Sequence, residues 1–409
     1  MGTPVRLYLL ALLVRTVAAA GFPDPAYPDS FYYVDAARAM AAGRGMEVDF
    51  VWIFAEVGGR LPTQPTLPIP AFGHWMPLAA LVQVPFLWLL GPVPLASVLP
   101  FVFVGALVAP LAWAIARDAG LPERAALAAG VLAAVPGLLL PFLAQPDNFG
   151  LYEPIVAGAL WLTSRALRGD GRAFVGAAVL AGLAVLSRND GWLVVAVLAL
   201  AAVWDRRMGG RGSDRPIRID ARAMAGAALA VGLLVGPWYA RQLATFGTLS
   251  PSAASGKALF IRDIGEWNSI ATPADLGHLF GMGPGPLLAS RLLGVVAAAG
   301  IFAVLIGGIV LVPLALIGAW RRRRSVVFGP FLAYAGLLFA FSGVVSAVHV
   351  PGGTFISLRT WRIALTTSMR ISICASAAGS RIPSSAAGQE AFKTVCPRCG
   401  RRCQISSVI

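Results

Sequence analysis

A chain of 409 residues that is 57% hydrophobic and only 13% charged, with a mean hydropathy of +0.74, carries more apolar side chain than a soluble core can bury. Its net charge of +14 does not point to nucleic acid, because the arginines sit in short blocks between apolar runs, as in the basic loops of polytopic membrane proteins. No cysteine precedes Cys374, which excludes a disulfide framework for the main body.

Residues 5–20 form the first apolar run. Ala18-Ala19-Ala20 looks like a signal-peptide cleavage site, but Arg15 interrupts the core that such a peptide needs, so the run reads as an uncleaved anchor. Next comes PDSFYYVDAARAMAAGRG, residues 28–45, in which Asp29, Asp35, Arg38 and Arg44 lie beside aromatics. The spacing predicts a short amphipathic helix at the membrane surface, capped by Asp29 or Ser30 and stopped at Gly43. A proline-rich polar region continues to His74. Further apolar runs cover residues 76–92, 93–116, 125–144, 151–166, 173–187, 191–204, 223–240, 292–320 and 326–348.

Alternate loops of such a protein should be arginine-rich. The candidates are the N-terminus with Arg6 and the blocks 117–124, 165–172, 205–222 and 321–324. All five share one side only if residues 76–92 do not cross, and Pro77, Pro85 and Pro92 predict a re-entrant or interfacial helix there. The expected fold is therefore an all-α polytopic transmembrane helical bundle of about nine spans. Its N-terminus is expected on the cytosolic side of the cytoplasmic membrane, and an interfacial helix region on the outer face in the first loop. Residues 21–74, 145–150, 187–190 and 241–291 then converge on the extracytoplasmic side, where an active site over a small-residue bundle would sit.

Residues 354–409 break this pattern. Leucine almost vanishes and all four cysteines appear, which reads as a frame-shifted or truncated end following a membrane domain over residues 1–353. Cys396, Cys399 and Cys403 lack a second closely spaced ligand pair, so a metal knuckle is the weaker reading beside a disordered basic tail.

Five patches, in order, resemble the GT-C superfamily of integral membrane glycosyltransferases, in particular the bacterial branch related to protein O-mannosyltransferases and the aminoarabinose transferase of lipid A. They are residues 28–45, Gly73-His74-Trp75-Met76-Pro77-Leu78, Leu151-Tyr152-Glu153-Pro154, the stretch 182–188 ending Leu186-Ser187-Arg188, and Gly236-Pro237-Trp238-Tyr239-Ala240-Arg241 with Phe246-Gly247. The resemblance implies a polyprenyl-phosphate sugar donor, transfer on the outer face, and a protein, lipid or glycan as acceptor. The family's acidic motif leaves a divalent metal ion open as a cofactor, but Ser30 stands where many members carry a second acid, which argues against metal binding at that motif.

Inverting transfer needs a base for the acceptor hydroxyl and cations for the departing phosphate. With the resemblance, Asp29 is the expected base, and His74, Glu153, Arg188, Arg241 and Lys257 are the expected substrate-binding residues. Plainer roles exist for each. Asp29 can cap a helix, Arg188 can pair with Asp190, Arg241 can snorkel beside Trp238 and Tyr239, His74 and Lys257 can be loop residues, and Glu153 can cap at the interface. Asp147 is a weaker acidic candidate, and Arg15 is expected either to pair with a core acid or to face the donor groove. Competing functions are a transporter or lipid flippase, which should show matching halves and polar groups at mid-helix depth, and a non-catalytic truncated product.

Overall fold

The structure, a computed structural model, describes residues 2–22, 24–25, 28–51, 66–209, 217–249, 275–305 and 308–346, together with residues 260, 262 and 266. The chain divides into the units Met1–Val350 and Pro351–Ile409. The second unit, which holds the tail cysteines, and Lys257 lie outside the described residues.

The first unit is an all-α bundle with one two-stranded ladder. Helix α1 (Thr3–Gly21) is followed by α2 (Pro28–Ala41), then by β1 (Glu47–Val48) and β2 (Ile69–Pro70), which pair antiparallel. Helix α2 ends where its sequence predicts. Gly43 adopts φ +78°, the Gly43 N–H donates to Met40 O and the Arg44 N–H donates to Ala39 O, both at 3.0 Å. This paired 5→2 and 6→1 pattern needs a left-handed residue, which glycine supplies without a Cβ clash.

Its start differs from the sequence expectation. Pro28, whose fixed φ suits the first helical position, begins the helix, so Asp29 and Ser30 occupy the first turn and neither is the cap. The helix is also packed against other parts of the protein. Tyr32, Tyr33, Ala36, Ala37 and Ala39 are fully buried, because the alanines let neighbouring elements close in.

Residues 76–92 form no spanning helix but two short pieces, α3 (Leu78–Leu81) and α4 (Val84–Leu90), rather than one interfacial helix, with Trp88, Leu89 and Leu90 exposed. Helices α5 (Pro94–Gly105) and α6 (Val108–Asp118) form one apolar stretch. The run 125–144 is not a continuous helix. It divides into α7 (Glu123–Ala134), a 3-10 turn and α8 (Leu140–Leu143), with Pro136 and Pro141 at the breaks.

Then follow α9 (Phe149–Ala166), α10 (Gly171–Ser187), α11 (Trp192–Met208), α12 (Ala221–Phe246) and the short α13 (Leu276–Phe280). The run 292–320 is likewise two helices, α14 (Pro284–Leu305) and α15 (Gly308–Arg322), before α16 (Gly329–Ser346) closes the described chain. Among the described residues, three stretches are long and apolar enough to cross a membrane alone: Thr3–Gly21, Pro94–Asp118 and Ala221–Phe246. Leu13, Val17, Leu229 and Leu233 on α1 and α12 point outward, as side chains facing lipid would.

The arginine blocks meet at one end. Arg168 Nη2 donates to Asp118 at 2.6 Å, Arg218 Nη1 donates to Leu167 O at 2.7 Å, and Arg322 Nη1 donates to Ala119 O at 3.2 Å. The turns 145–150 and 188–191 meet His74 and α2 at the other, as described next.

Candidate functional site

The site is built where the turns 145–150 and 188–191 and the His74-Trp75 segment meet α2. Helix α10 ends at Ser187, and Arg188 leaves it in extended conformation (φ −151°, ψ 144°) before the 3-10 turn Asn189–Gly191. A Cβ at Gly191 would lie 2.4 Å from the Ala184 backbone, so only glycine lets this turn fold back against α10. The fold-back is what aims Arg188 inward.

Arg188 is held on several sides. Its Nε and Nη2 donate to the two Asp190 oxygens at 2.9 and 3.3 Å, and its Nη1 donates to Asn148 Oδ1 at 3.0 Å. The guanidinium lies over the rings of Phe149 and Tyr152, 5.0 and 5.6 Å from their centroids. Burial alone would lower its pKa, but Asp190 more than offsets that, so the group stays charged. Asn148 in turn donates from Nδ2 to Tyr33 Oη at 3.2 Å, which ties the 145–150 turn to α2. Tyr152 Oη and Tyr334 Oη of α16 lie 3.1 Å apart over the same region.

Asp29 faces this cluster from the first turn of α2. Burial raises its pKa above the usual carboxylate value, opposed by a hydrogen bond from Trp75 and by the charge of Arg188. The structure thus brings Asp29 and Arg188 into one electrostatic neighbourhood. Tyr33 lies within electrostatic reach of both, and burial, with the charges of Asp147 and Asp29, keeps its hydroxyl protonated.

His74 stands beside Trp75, ring centroids 4.7 Å apart, and its carbonyl accepts from Asn189 Nδ2 at 3.5 Å, so it borders the Arg188 turn. Desolvation pushes its pKa down to about 4, so it is neutral at physiological pH. Because the folded state refuses a proton that the unfolded chain accepts near pH 6.5, its contribution to stability is complete above that pH and lost as pH falls toward 4. Thermal unfolding in detergent should show a loss of up to about 3 kcal/mol over that window, and His74→Gln should flatten it. Equal pH dependence in the two proteins would contradict the burial of His74.

Arg241 lies apart, at the end of α12. It donates to Gln242 Oε1 at 2.9 Å and to Met46 O at 3.4 Å, and its guanidinium lies between the Trp238 and Phe246 rings, at 5.5 and 5.2 Å. A relay joins it to Asp29. Gln242 Nε2 donates to Phe72 O at 2.8 Å, the Phe72 N–H donates to Tyr32 Oη at 2.5 Å, and Tyr32 packs on Trp75 with centroids 4.6 Å apart.

Glu153 points elsewhere, toward α1. Its Oε2 accepts from Arg15 Nη2 at 3.2 Å. Arg15 is fully buried, and its Nε and Nη1 have no hydrogen-bond partner among the described residues. A Cβ at Gly105 of α5 would come within 3.2 Å of the Arg15 guanidinium carbon, so the missing side chain makes its room. Of the two roles expected for Arg15, the structure shows the pair with a core acid.

Several residues of the cluster escaped the sequence reading. Asn148 sat in a turn noted for Asp147, and Trp75 sat inside a patch noted for His74, so both had a local signal. Tyr334 lies within an apolar run and had none. Asp147 is fully buried and accepts the Asn148 N–H at 2.5 Å, a structural position in the turn. The long segment 241–291 is described only in part, where His278 and Glu266 approach to 3.0 Å. Among the described residues, no three His, Cys, Asp or Glu side chains gather as a metal site.

Residues 74–212, about a third of the chain, match the family described as dolichyl-phosphate-mannose-protein mannosyltransferase, a membrane glycosyltransferase family of GT-C type. The matched segment runs from His74 through Arg188 to the end of α11. Neither a curated protein nor a solved structure matches the chain.

Proposed function

We propose that this GT-C-type membrane glycosyltransferase moves a sugar from a polyprenyl-phosphate donor to an acceptor hydroxyl at the Asp29–Arg188 end of the bundle, on the extracytoplasmic face. The acceptor oxygen attacks the anomeric carbon and its proton passes to the Asp29 carboxylate. The bond from that carbon to the phosphate oxygen breaks, and its electron pair leaves with the lipid phosphate. One displacement of this kind inverts the anomeric configuration.

The observation that carries the reading is a carboxylate of raised pKa within electrostatic reach of a guanidinium whose other edges are fixed. A raised pKa makes Asp29 a better proton acceptor than an exposed aspartate. Arg188 spends one N–H of each terminal nitrogen on Asp190 and Asn148, so each keeps one N–H for a phosphate oxygen. Asp190 and Asn148 act as positioning residues. Arg241 supplies a second guanidinium at the same end, and neutral His74 supplies a ring without charge against the sugar.

The test is transfer in lipid bilayers by the purified chain, given labelled polyprenyl-phosphate mannose, with release of polyprenyl phosphate as the readout. Arg188→Lys should lower release about a hundredfold or more, because an ammonium cannot keep the fork to Asp190 and Asn148 while contacting phosphate. Release unaffected by that change would remove Arg188 from the reaction. No release by the wild-type chain from any polyprenyl-phosphate sugar would overturn the function itself.

A further inference from the structure

At the arginine-rich end, away from the Asp29–Arg188 cluster, a groove of about 420 Å³ opens between α10, α11 and α12. Val195, Leu198, Ala202 and Arg206 of α11 line it at helical spacing, and Phe174 and Met224 flank them from the neighbouring helices. The lining is apolar except for Arg206. Alanines on all three helices make part of its lining.

Its dimensions match one leaflet of a bilayer. The path along α11 from Val195 to Arg206 is about 16 Å at the helical rise, and half of the hydrocarbon core is about 15 Å. Arg206 is exposed and has no hydrogen-bond or ion-pair partner among the described residues. The adjacent carboxylate is committed elsewhere, since Asp205 accepts the N–H groups of Arg218 and Ile219 at 2.8 and 2.9 Å. A free cation at the mouth of an apolar slot of leaflet depth is complementary to a lipid that carries a negative headgroup.

We propose that this groove holds one acyl chain of an anionic phospholipid from the leaflet at the arginine-rich end, with Arg206 bound to its phosphate. The site does not rest on the transferase reading. It is a second lipid site, at the opposite end from the sugar chemistry.

The test is native mass spectrometry of the full chain, reconstituted in equimolar phosphatidylglycerol and phosphatidylcholine and then extracted with detergent. The wild-type chain should retain one lipid, predominantly phosphatidylglycerol. Arg206→Gln should still retain a lipid but lose about fivefold in the ratio of the two headgroups, the worth of one arginine at an anionic surface. Ala228→Phe, at the exposed rim, should fill the slot and abolish retention of either lipid, and Ala199→Phe on the opposite rim serves if the first variant fails to fold. An unchanged headgroup ratio in Arg206→Gln overturns the proposal. So does a lipid still retained in a folded rim variant. A wild-type dimer that either rim variant reduces to a monomer would instead place a second copy in the groove, and would also overturn it.

Discussion

Asp29→Asn is expected to lower sugar transfer by about a hundredfold to ten-thousandfold, the usual range for loss of a general base, while the chain still inserts and accumulates. Asparagine keeps the size of the side chain and an oxygen that can accept from Trp75, so the first turn of α2 should stand. The pH profile separates chemistry from structure. Burial raises the Asp29 pKa above its ordinary 3.8, so the acid limb of the wild-type rate should lie at higher pH than an exposed aspartate would give. The base must be unprotonated, so the rate should fall as pH drops through that limb. Stability should move the other way. The folded state holds the proton more tightly than the unfolded chain, so stability declines as pH rises through the same window, and Asp29→Asn should unfold at an equal or higher temperature at neutral pH. Transfer by Asp29→Asn at the wild-type rate, or an acid limb unchanged in that variant, would take Asp29 out of the reaction.

Glu153→Leu should cost about 3–5 kcal/mol of stability, because it strands the fully buried Arg15 guanidinium with no carboxylate beside it. Two of the Arg15 nitrogens already lack partners among the described residues, which leaves little to soften the loss. The double variant Arg15→Leu with Glu153→Leu should recover most of that stability, since it removes the buried guanidinium together with its partly exposed carboxylate partner. Thermal unfolding of the three proteins in one detergent measures the coupling. If the double variant is as unstable as the single one, the pair is not what makes Glu153 necessary. Transfer activity adds a second reading. Retained transfer in a stable double variant would show that Glu153 contacts neither donor nor acceptor and acts only through Arg15.

The organisation of the bundle was legible where it depends on neighbours along the chain. Gly43 announced the end of α2, and Pro77 and Pro85 announced that residues 76–92 would not form a spanning helix. The arginine blocks announced which loops share an end, and Arg168 with Asp118 and Arg218 with Leu167 O place them together. The same local logic failed where two local signals compete. Asp29 and Ser30 are good caps, but Pro28 is a better first residue and starts the helix ahead of them. Runs 125–144 and 292–320 look continuous in hydropathy, yet the first contains prolines that stop it and each resolves into more than one helix.

By itself the sequence determined the membrane class, the apolar segments and the presence of Asp29, His74, Glu153, Arg188 and Arg241 at segment ends, because hydropathy and charge placement are properties of adjacent residues. Only the tertiary structure decided who meets whom. Arg188 is tied to Tyr33 of α2 through Asn148, within electrostatic reach of Asp29, Glu153 turns to Arg15, and Arg241 stands a relay of Gln242, Phe72 and Tyr32 away. Those pairings depend on how the helices cross and on where Gly105 and Gly191 let backbones and side chains approach. Such close approaches join residues far apart in the chain, and no pattern within one segment encodes them.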